Sequence, residues 1–256
     1  MDLFKAVILG IVEGITEFLP ISSTGHLILA AKLLKLTQTD FIKTFEIAIQ
    51  LGAILSVVVL YWRKFLAETA VLKRVLAAFI PTAVLGLVFY KIIKEFLLAG
   101  DRIVLWALFL GGIFLIVFEL FYKEKKEGSE EIASMPYKKA VLIGIFQSIA
   151  MVPGVSRAAA TIYGGLFLGL SRRAIVEFSF LLAVPTMLAA TALDLFKNAS
   201  AFSKDQFVFL SVGFIVSFVV AMAAIKFLLY FIKKNNFIPF GIYRIIAALA
   251  FWFVIR

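Results

Sequence analysis

Three features of the sequence predict an all-α polytopic membrane protein built as an inverted-topology repeat, with six transmembrane helices and two re-entrant helical hairpins. Of the 256 residues, 63% are hydrophobic and 16% charged, where an ordinary soluble domain has about 45–50% and about 25%. The apolar residues fall in blocks of roughly 15 to 25, the length a helix needs to cross about 30 Å of hydrocarbon. The two halves of the chain also resemble each other, each with one apolar block broken in its middle by Pro, Gly and polar residues.

The first block, residues 3 to 34, is interrupted by FLPISSTGH from Phe18 to His26. Backbone groups freed by such a break find no water in hydrocarbon, so the block is read as a hairpin buried within protein. Met1 to Phe18 has no positive cluster ahead of its apolar run, carries Glu13 and Glu17 and offers no small-residue cleavage site. It therefore reads as part of the mature chain and not as a signal peptide. Spans follow at 45–62, 76–97 with Pro81 inside, and 103–122. Lys123 to Lys139 carries both charge signs without apolar periodicity and reads as an interhelix loop. The second broken block, 138–170, is interrupted by MVPGVSRAAAT from Met151 to Thr161, and spans at 174–196, 207–231 and 237–255 complete the chain.

AVILGIVEGI from Ala6 aligns with AVLIGIFQSI from Ala140 at an offset of 134, and PISS from Pro20 with PGVS from Pro153 at an offset of 133. Glu46 and Glu177 follow at an offset of 131. One hairpin and three spans make an odd number of crossings, so the second copy is expected upside down relative to the first. The expectation is one membrane domain over 1–256, with a first repeat in 1–125 and a second, inverted repeat in 135–256.

The net charge of +10 sits on residues that mostly punctuate apolar segments. These suit anionic lipid headgroups as partner, with no nucleic acid. Loops 63–74, 123–139, 171–173 and 232–236 together hold about 13 Lys and Arg against about 10 on the other side, which favours the first side as cytoplasmic.

With no cysteine and one histidine, thiolate chemistry, Cys-based metal sites and HExxH centres are excluded. Carboxylates, hydroxyls, one imidazole and arginine remain. Glu13 and Glu17 are four apart and share a helical face. In an apolar setting the pair needs a hard divalent cation such as Mg2+ or Ca2+, an aqueous cavity, or a proton. Ser22, Ser23 and Thr24 in one break, and Ser156 in the other, precede apolar runs as N-caps do. Two helix N-termini would then converge and form an anion site. Arg157 adds a planar fork suited to phosphate, or an ion pair with Glu13 or Glu17. Thr161 adds a hydroxyl on the same face, and His26 sits one turn beyond Ser23. Lys226, Arg244, Glu46, Gln50 and Glu177 read as structural.

Glu13-Gly14-Ile15-Thr16-Glu17-Phe18-Leu19-Pro20 with Ser22 to His26, and Pro153-Gly154-Val155-Ser156-Arg157 through Thr161, resemble the two signature motifs of the bacterial undecaprenyl-diphosphatase family, also called bacitracin-resistance proteins. The likeness extends over essentially the whole chain, including KTFEIAIQLGAI from Lys43 and EFSFLLAVP from Glu177. The resemblance implies an inner-membrane phosphatase that removes the terminal phosphate of the polyprenyl lipid undecaprenyl diphosphate, giving the monophosphate carrier lipid of peptidoglycan synthesis, at a site opening on the outer face. By motif position it implies Glu13 and Glu17 as the acidic pair, Ser23 and His26 as hydroxyl and imidazole, and Ser156, Arg157 and Thr161 as the phosphate-binding motif. Gln147 aligns with Glu13 across the repeat and matches the family's glutamine. Ala158 and Ala159 depart from the family's Ser-Gly, removing one hydroxyl.

On this reading Ser22, Ser156, Arg157, Thr161 and Gln147 bind substrate, and a divalent cation on Glu13 and Glu17 bridges the diphosphate. Either Ser23 attacks, with Glu17 or His26 as base, or Glu17 activates a water. A second reading is a transporter or flippase of a phosphorylated lipid or anion at the same midplane site. A second copy of the chain, as a homodimer, is a further candidate partner.

Overall fold

A computed structural model describes residues 1–37, 39–92, 101–123, 131–198 and 204–255. Its regular elements are helices: α1 (Leu3–Thr16), α2 (Ser23–Leu33), α3 (Asp40–Ala67), α4 (Thr69–Ile92), α5 (Asp101–Phe121), α6 (Tyr137–Ser148), α7 (Arg157–Phe167), α8 (Arg172–Asn198), α9 (Lys204–Phe231) and α10 (Ile238–Ile255). Single 3-10 turns at Ile132–Ser134 and Ile149–Met151 flank α6. Among the described residues five helices are long and apolar enough to cross a membrane, in α3, α4, α5, α8 and α9. The sixth expected span is a shorter apolar helix, Ile238–Phe253. Residues 93–97 of the span expected at 76–97, and residues 124–130 of the hydrophilic loop, lie outside the described residues.

Local chemistry sets the helix starts. The Asp2 carboxylate accepts from the Lys5 N–H at 2.8 Å, and the Thr39 hydroxyl from the Ile42 N–H at 3.3 Å. Each satisfies a first-turn donor that lacks an intrahelical acceptor. The expected span at 45–62 thereby begins earlier, at Asp40, and bends at Tyr61, whose backbone leaves the helical region.

Both broken blocks are pairs of separate helices, α1 with α2 and α6 with α7, and the pairs match closely. Ser22 (φ 75°) and Ser156 (φ 78°) cap α2 and α7, accepting from the N–H groups of Gly25 and Ala159. Lys35 and Gly169 end them with positive φ. The amides of Leu36 and Leu170 reach back to the carbonyls of Ala31 and Gly165, and those of Lys35 and Gly169 to Lys32 and Leu166. These bonds are the Schellman pattern, which satisfies the last carbonyls of a helix. The geometric offset is 134 throughout, so Ser156 corresponds to Ser22, whereas the alignment of PISS with PGVS had paired it with Ser23.

Packing exchanges elements between the halves. Helix α1 lies on α9 and α6 on α4, while α3 packs on α8 and α9, and α5 on α10. Glycines permit the closest approaches. A Cβ on Gly10 would stand 2.8 Å from the Gly213 carbonyl oxygen, and one on Gly144 would overlap the carbonyl oxygen of Ala78. In lipid, where apolar burial gives little preference for a helix over a chain, such backbone proximity is a main source of helix association. A buried bidentate pair, Arg172 on Glu119 at 2.6 and 2.7 Å, ties the start of α8 to the end of α5.

Gly144→Ala should therefore lower the thermal midpoint in detergent by the equivalent of about 1–3 kcal/mol of overpacking. Gly86→Ala, whose methyl would meet only the flexible end of Met151 at 3.3 Å, should stay within about 0.5 kcal/mol of the parent.

Candidate active site

The two breaks, residues 17–22 and 149–156, meet at one buried side chain. Arg244 of α10 is fully buried, and its guanidinium donates to five carbonyls. Two, Ala107 and Leu108, belong to α5; Pro20 lies in the first break, and Gly154 and Val155 in the second. By sequence Arg244 reads as structural. It sits inside α10, and its structural role is to satisfy backbone that the helix breaks leave open.

With the breaks held together, the N-termini of α2 and α7 face one cavity of about 180 Å³, lined by Glu17, Ser22, Ser23, Gln147, Ser156 and Arg157 among others. Within it the two hairpins make a direct link. The Ser23 hydroxyl donates to Glu17 Oε2 at 2.5 Å, and Arg157 donates from one terminal nitrogen to Glu17 Oε1 at 3.2 Å. The other terminal nitrogen of Arg157 donates to the Ser179 carbonyl at 2.9 Å, which fixes the plane of the guanidinium. Its Nε is buried with no acceptor. Of the partners considered for Arg157, the structure selects Glu17.

Three of the expected site residues lie off this cavity wall. Glu13 is fully buried with both carboxylate oxygens unpartnered, and Glu17, Glu46 and Arg157 are the charges around it. His26 turns away from Ser23. Its Nδ1 is 2.8 Å from the Ser22 carbonyl oxygen and its Nε2 is 2.8 Å from the Tyr243 hydroxyl. A carbonyl only accepts, so Nδ1 carries a proton, and in the neutral ring Nε2 accepts from Tyr243. Thr161 donates to the Arg157 carbonyl at 2.8 Å and stands 3.3 Å from Gln147 Oε1.

Gln147 forms the opposite wall, its amide donating to the hydroxyls of Thr82 and Thr186, both at 3.1 Å. Those hydroxyls in turn donate to the carbonyls of Gly144 and Leu182. Thr82, Thr186, Tyr243 and Arg244 were missed as site residues, although the threonines and Arg244 carry a signal. Both threonines directly follow a proline inside a long apolar run, and Arg244 is the only charge between Phe237 and Ile255. An isolated polar group in such a segment marks a buried partner.

A divalent cation suits part of this arrangement. An unpartnered buried carboxylate is costly, and Glu13 offers two hard oxygen donors of the type such ions take. Glu17 is the adjacent acid. Among the described residues no group of three or more His, Asp and Glu converges to hold a metal by itself, so remaining ligands would come from water or phosphate oxygens.

Membrane-crossing helices around two broken hairpins, with a carboxylate–arginine pair enclosed where the breaks meet, define a multi-pass membrane protein with a polar site inside its helical body. Residues 6–250 match the family described as bacitracin resistance protein BacA, and the chain belongs to that family. It is 56% identical over 252 residues to an undecaprenyl-diphosphatase of Sulfurihydrogenibium sp., covering 98% of this chain and 99% of the relative. It is 51% identical to the undecaprenyl-diphosphatase of Aquifex aeolicus over 251 residues, covering 98% of each. The same name belongs to a Wolinella succinogenes relative, 51% identical over 253 residues, covering 99% of this chain and 98% of the relative.

Ser156 holds a positive φ that a Cβ disfavours. Ser156→Gly should leave the thermal midpoint nearly unchanged, because relief of strain offsets the lost cap. Ser156→Ala keeps the strain, loses the cap and should cost about 1 kcal/mol, measured by thermal unfolding in detergent.

Proposed function

We propose that this protein is an undecaprenyl-diphosphatase that hydrolyses undecaprenyl diphosphate to undecaprenyl phosphate and inorganic phosphate. The observation that carries the proposal is the link across the two breaks, Ser23 to Glu17 to Arg157, on the wall of one cavity. The names of the full-length relatives favour hydrolysis over transport.

In the proposed reaction the terminal phosphate enters between the N-termini of α2 and α7. Arg157 and the first-turn amides of α7 neutralise charge on the transferred phosphoryl group. The Ser23 oxygen attacks the terminal phosphorus while its proton passes to the Glu17 carboxylate, toward which it already points. Undecaprenyl phosphate leaves with that proton, which restores the Glu17 carboxylate. Water, giving its proton to Glu17, then attacks the phosphoserine phosphorus, and the departing Ser23 oxygen takes the proton back as phosphate is released. Ser22 and Ser156 hold the two helix starts, and Thr161 fixes Gln147 against the cavity. His26 keeps the first break in shape through the Ser22 carbonyl. Glu13 and Glu17 would hold the divalent cation, Mg2+ or Ca2+, which supplies positive charge to the diphosphate when bound.

We also propose that the two halves, each a hairpin followed by three crossings, are inverted relative to each other, with α10 as the sixth crossing. The matching caps at Ser22 and Ser156 and the exchanged packing of α1 on α9 and α6 on α4 support this. The family resemblance supports a bacterial inner membrane and a site open to the periplasmic or extracellular face, and the excess of Lys and Arg favours loops 63–74, 123–139, 171–173 and 232–236 as cytoplasmic.

Detergent-purified protein should release phosphate from undecaprenyl diphosphate, stop on addition of chelator and recover on return of Mg2+ or Ca2+. Arg157→Ala and Glu17→Ala should each lower turnover by about 100-fold or more, the scale of losing one preorganised charged group. Full turnover by Arg157→Ala would overturn the proposal.

A further inference from the structure

We infer that Arg244 is a positioning residue for phosphoryl transfer, one that sets the distance between the Ser23–Glu17 pair and Arg157 by holding the backbone of both breaks at once. The inference rests on the site reading above.

The contacts divide the guanidinium between three elements. Nε donates to Leu108 O at 3.3 Å and one terminal nitrogen to Ala107 O at 2.8 Å, which anchors the fork on α5. That same terminal nitrogen donates to Gly154 O at 2.9 Å, and the other to Val155 O at 3.0 Å and Pro20 O at 3.3 Å. A guanidinium carries five N–H donors in a fixed plane, and the five bonds use all of them. Pro20 stands between Glu17 and Ser23 in the chain, and Val155 directly precedes Ser156 and Arg157. One rigid group therefore spans the segments that carry both sides of the reacting pair. A shift of about 1 Å between such groups is enough to cost roughly 100-fold in rate.

Two features set this apart from ordinary packing. All the hydrogen bonds of this buried charge go to carbonyl oxygens, and its planar fork cannot be replaced by the single ammonium of lysine, which has three donors at one point. The neighbouring helix is shaped for it as well, since a methyl at Gly111 would overlap the terminal nitrogen of Arg244. Gly111→Ala thus moves the fork while leaving its charge in place.

The test compares wild type, Arg244→Lys, Gly111→Ala and Arg157→Ala as purified full-length proteins, with kcat and KM for undecaprenyl diphosphate measured well below each thermal midpoint. Arg244→Lys should lose at least 100-fold and Gly111→Ala at least 10-fold in kcat, with KM within threefold of wild type and gel-filtration profiles unchanged. A purely structural role would lower the thermal midpoint but leave kcat per folded molecule intact. Folded variants with kcat within twofold of wild type, or a loss confined to KM, overturn the inference. Should Arg244→Lys fail to fold, Gly111→Ala decides alone, because the three atoms its methyl would meet most closely all belong to the Arg244 guanidinium. If Arg157→Ala itself keeps full activity, the reading of the site fails. If Arg157→Ala is inactive while Gly111→Ala is unimpaired, only the role of Arg244 fails.

Discussion

A helix broken inside hydrocarbon leaves peptide groups that water cannot reach, and the structure depends on how those groups are satisfied. Here one guanidinium meets the problem for both breaks. Arg244 binds Pro20 on one side and Gly154 and Val155 on the other, with α5 as its base. Desolvating an arginine is expensive, and carbonyl dipoles offset that cost only when several converge. The broken backbone supplies them. The cation needs the breaks as much as the breaks need the cation, which is why the arginine, the two loops and Gly111 form one unit.

Once the breaks are pinned, the rest of the site follows from short-range geometry. Ser22 and Ser156 start α2 and α7 from strained backbone, directing both helix N-termini at the same cavity. Glu17 lies just past the end of α1 and reaches Ser23 on α2 and Arg157 on α7. A hydroxyl on one oxygen and a guanidinium on the other fix the orientation of this carboxylate between the two hairpins.

The two hairpins share their caps and turns and differ in chemistry. Glu13 and Gln147 occupy equivalent positions on α1 and α6, 134 residues apart. Gln147 is fully engaged, its amide on Thr82 and Thr186 and its carbonyl near Thr161. Glu13 has neither hydroxyl nor amide on its oxygens. At Gln147 the position is a neutral side chain with its hydrogen bonds made, and at Glu13 it is a buried acid with neither oxygen hydrogen-bonded. Two hairpins of matching backbone thus carry unlike groups at equivalent positions.

Much of this was legible in the residues. Apolar block lengths identified the membrane helices, because hydrocarbon thickness imposes them directly on composition. The broken blocks were visible for the same reason, since Pro, Gly and Ser have no place in a straight lipid-facing helix. Glu17, Ser23, Ser156 and Arg157 stood out as polar residues at those breaks, and motif resemblance gathered them. Pairings were not legible. That Arg157 takes Glu17, that His26 turns to Tyr243 and that Gln147 finds Thr82 and Thr186 are matters of distances across 39 to 217 residues of chain. The register of the repeat was likewise corrected by backbone angles, because the alignment saw only side-chain letters. Arg244 shows the limit most clearly. As a letter it is one charge in an apolar run, and only the tertiary structure brings to it the carbonyls of three distant segments, because backbone groups have no side-chain signature by which a sequence could announce them.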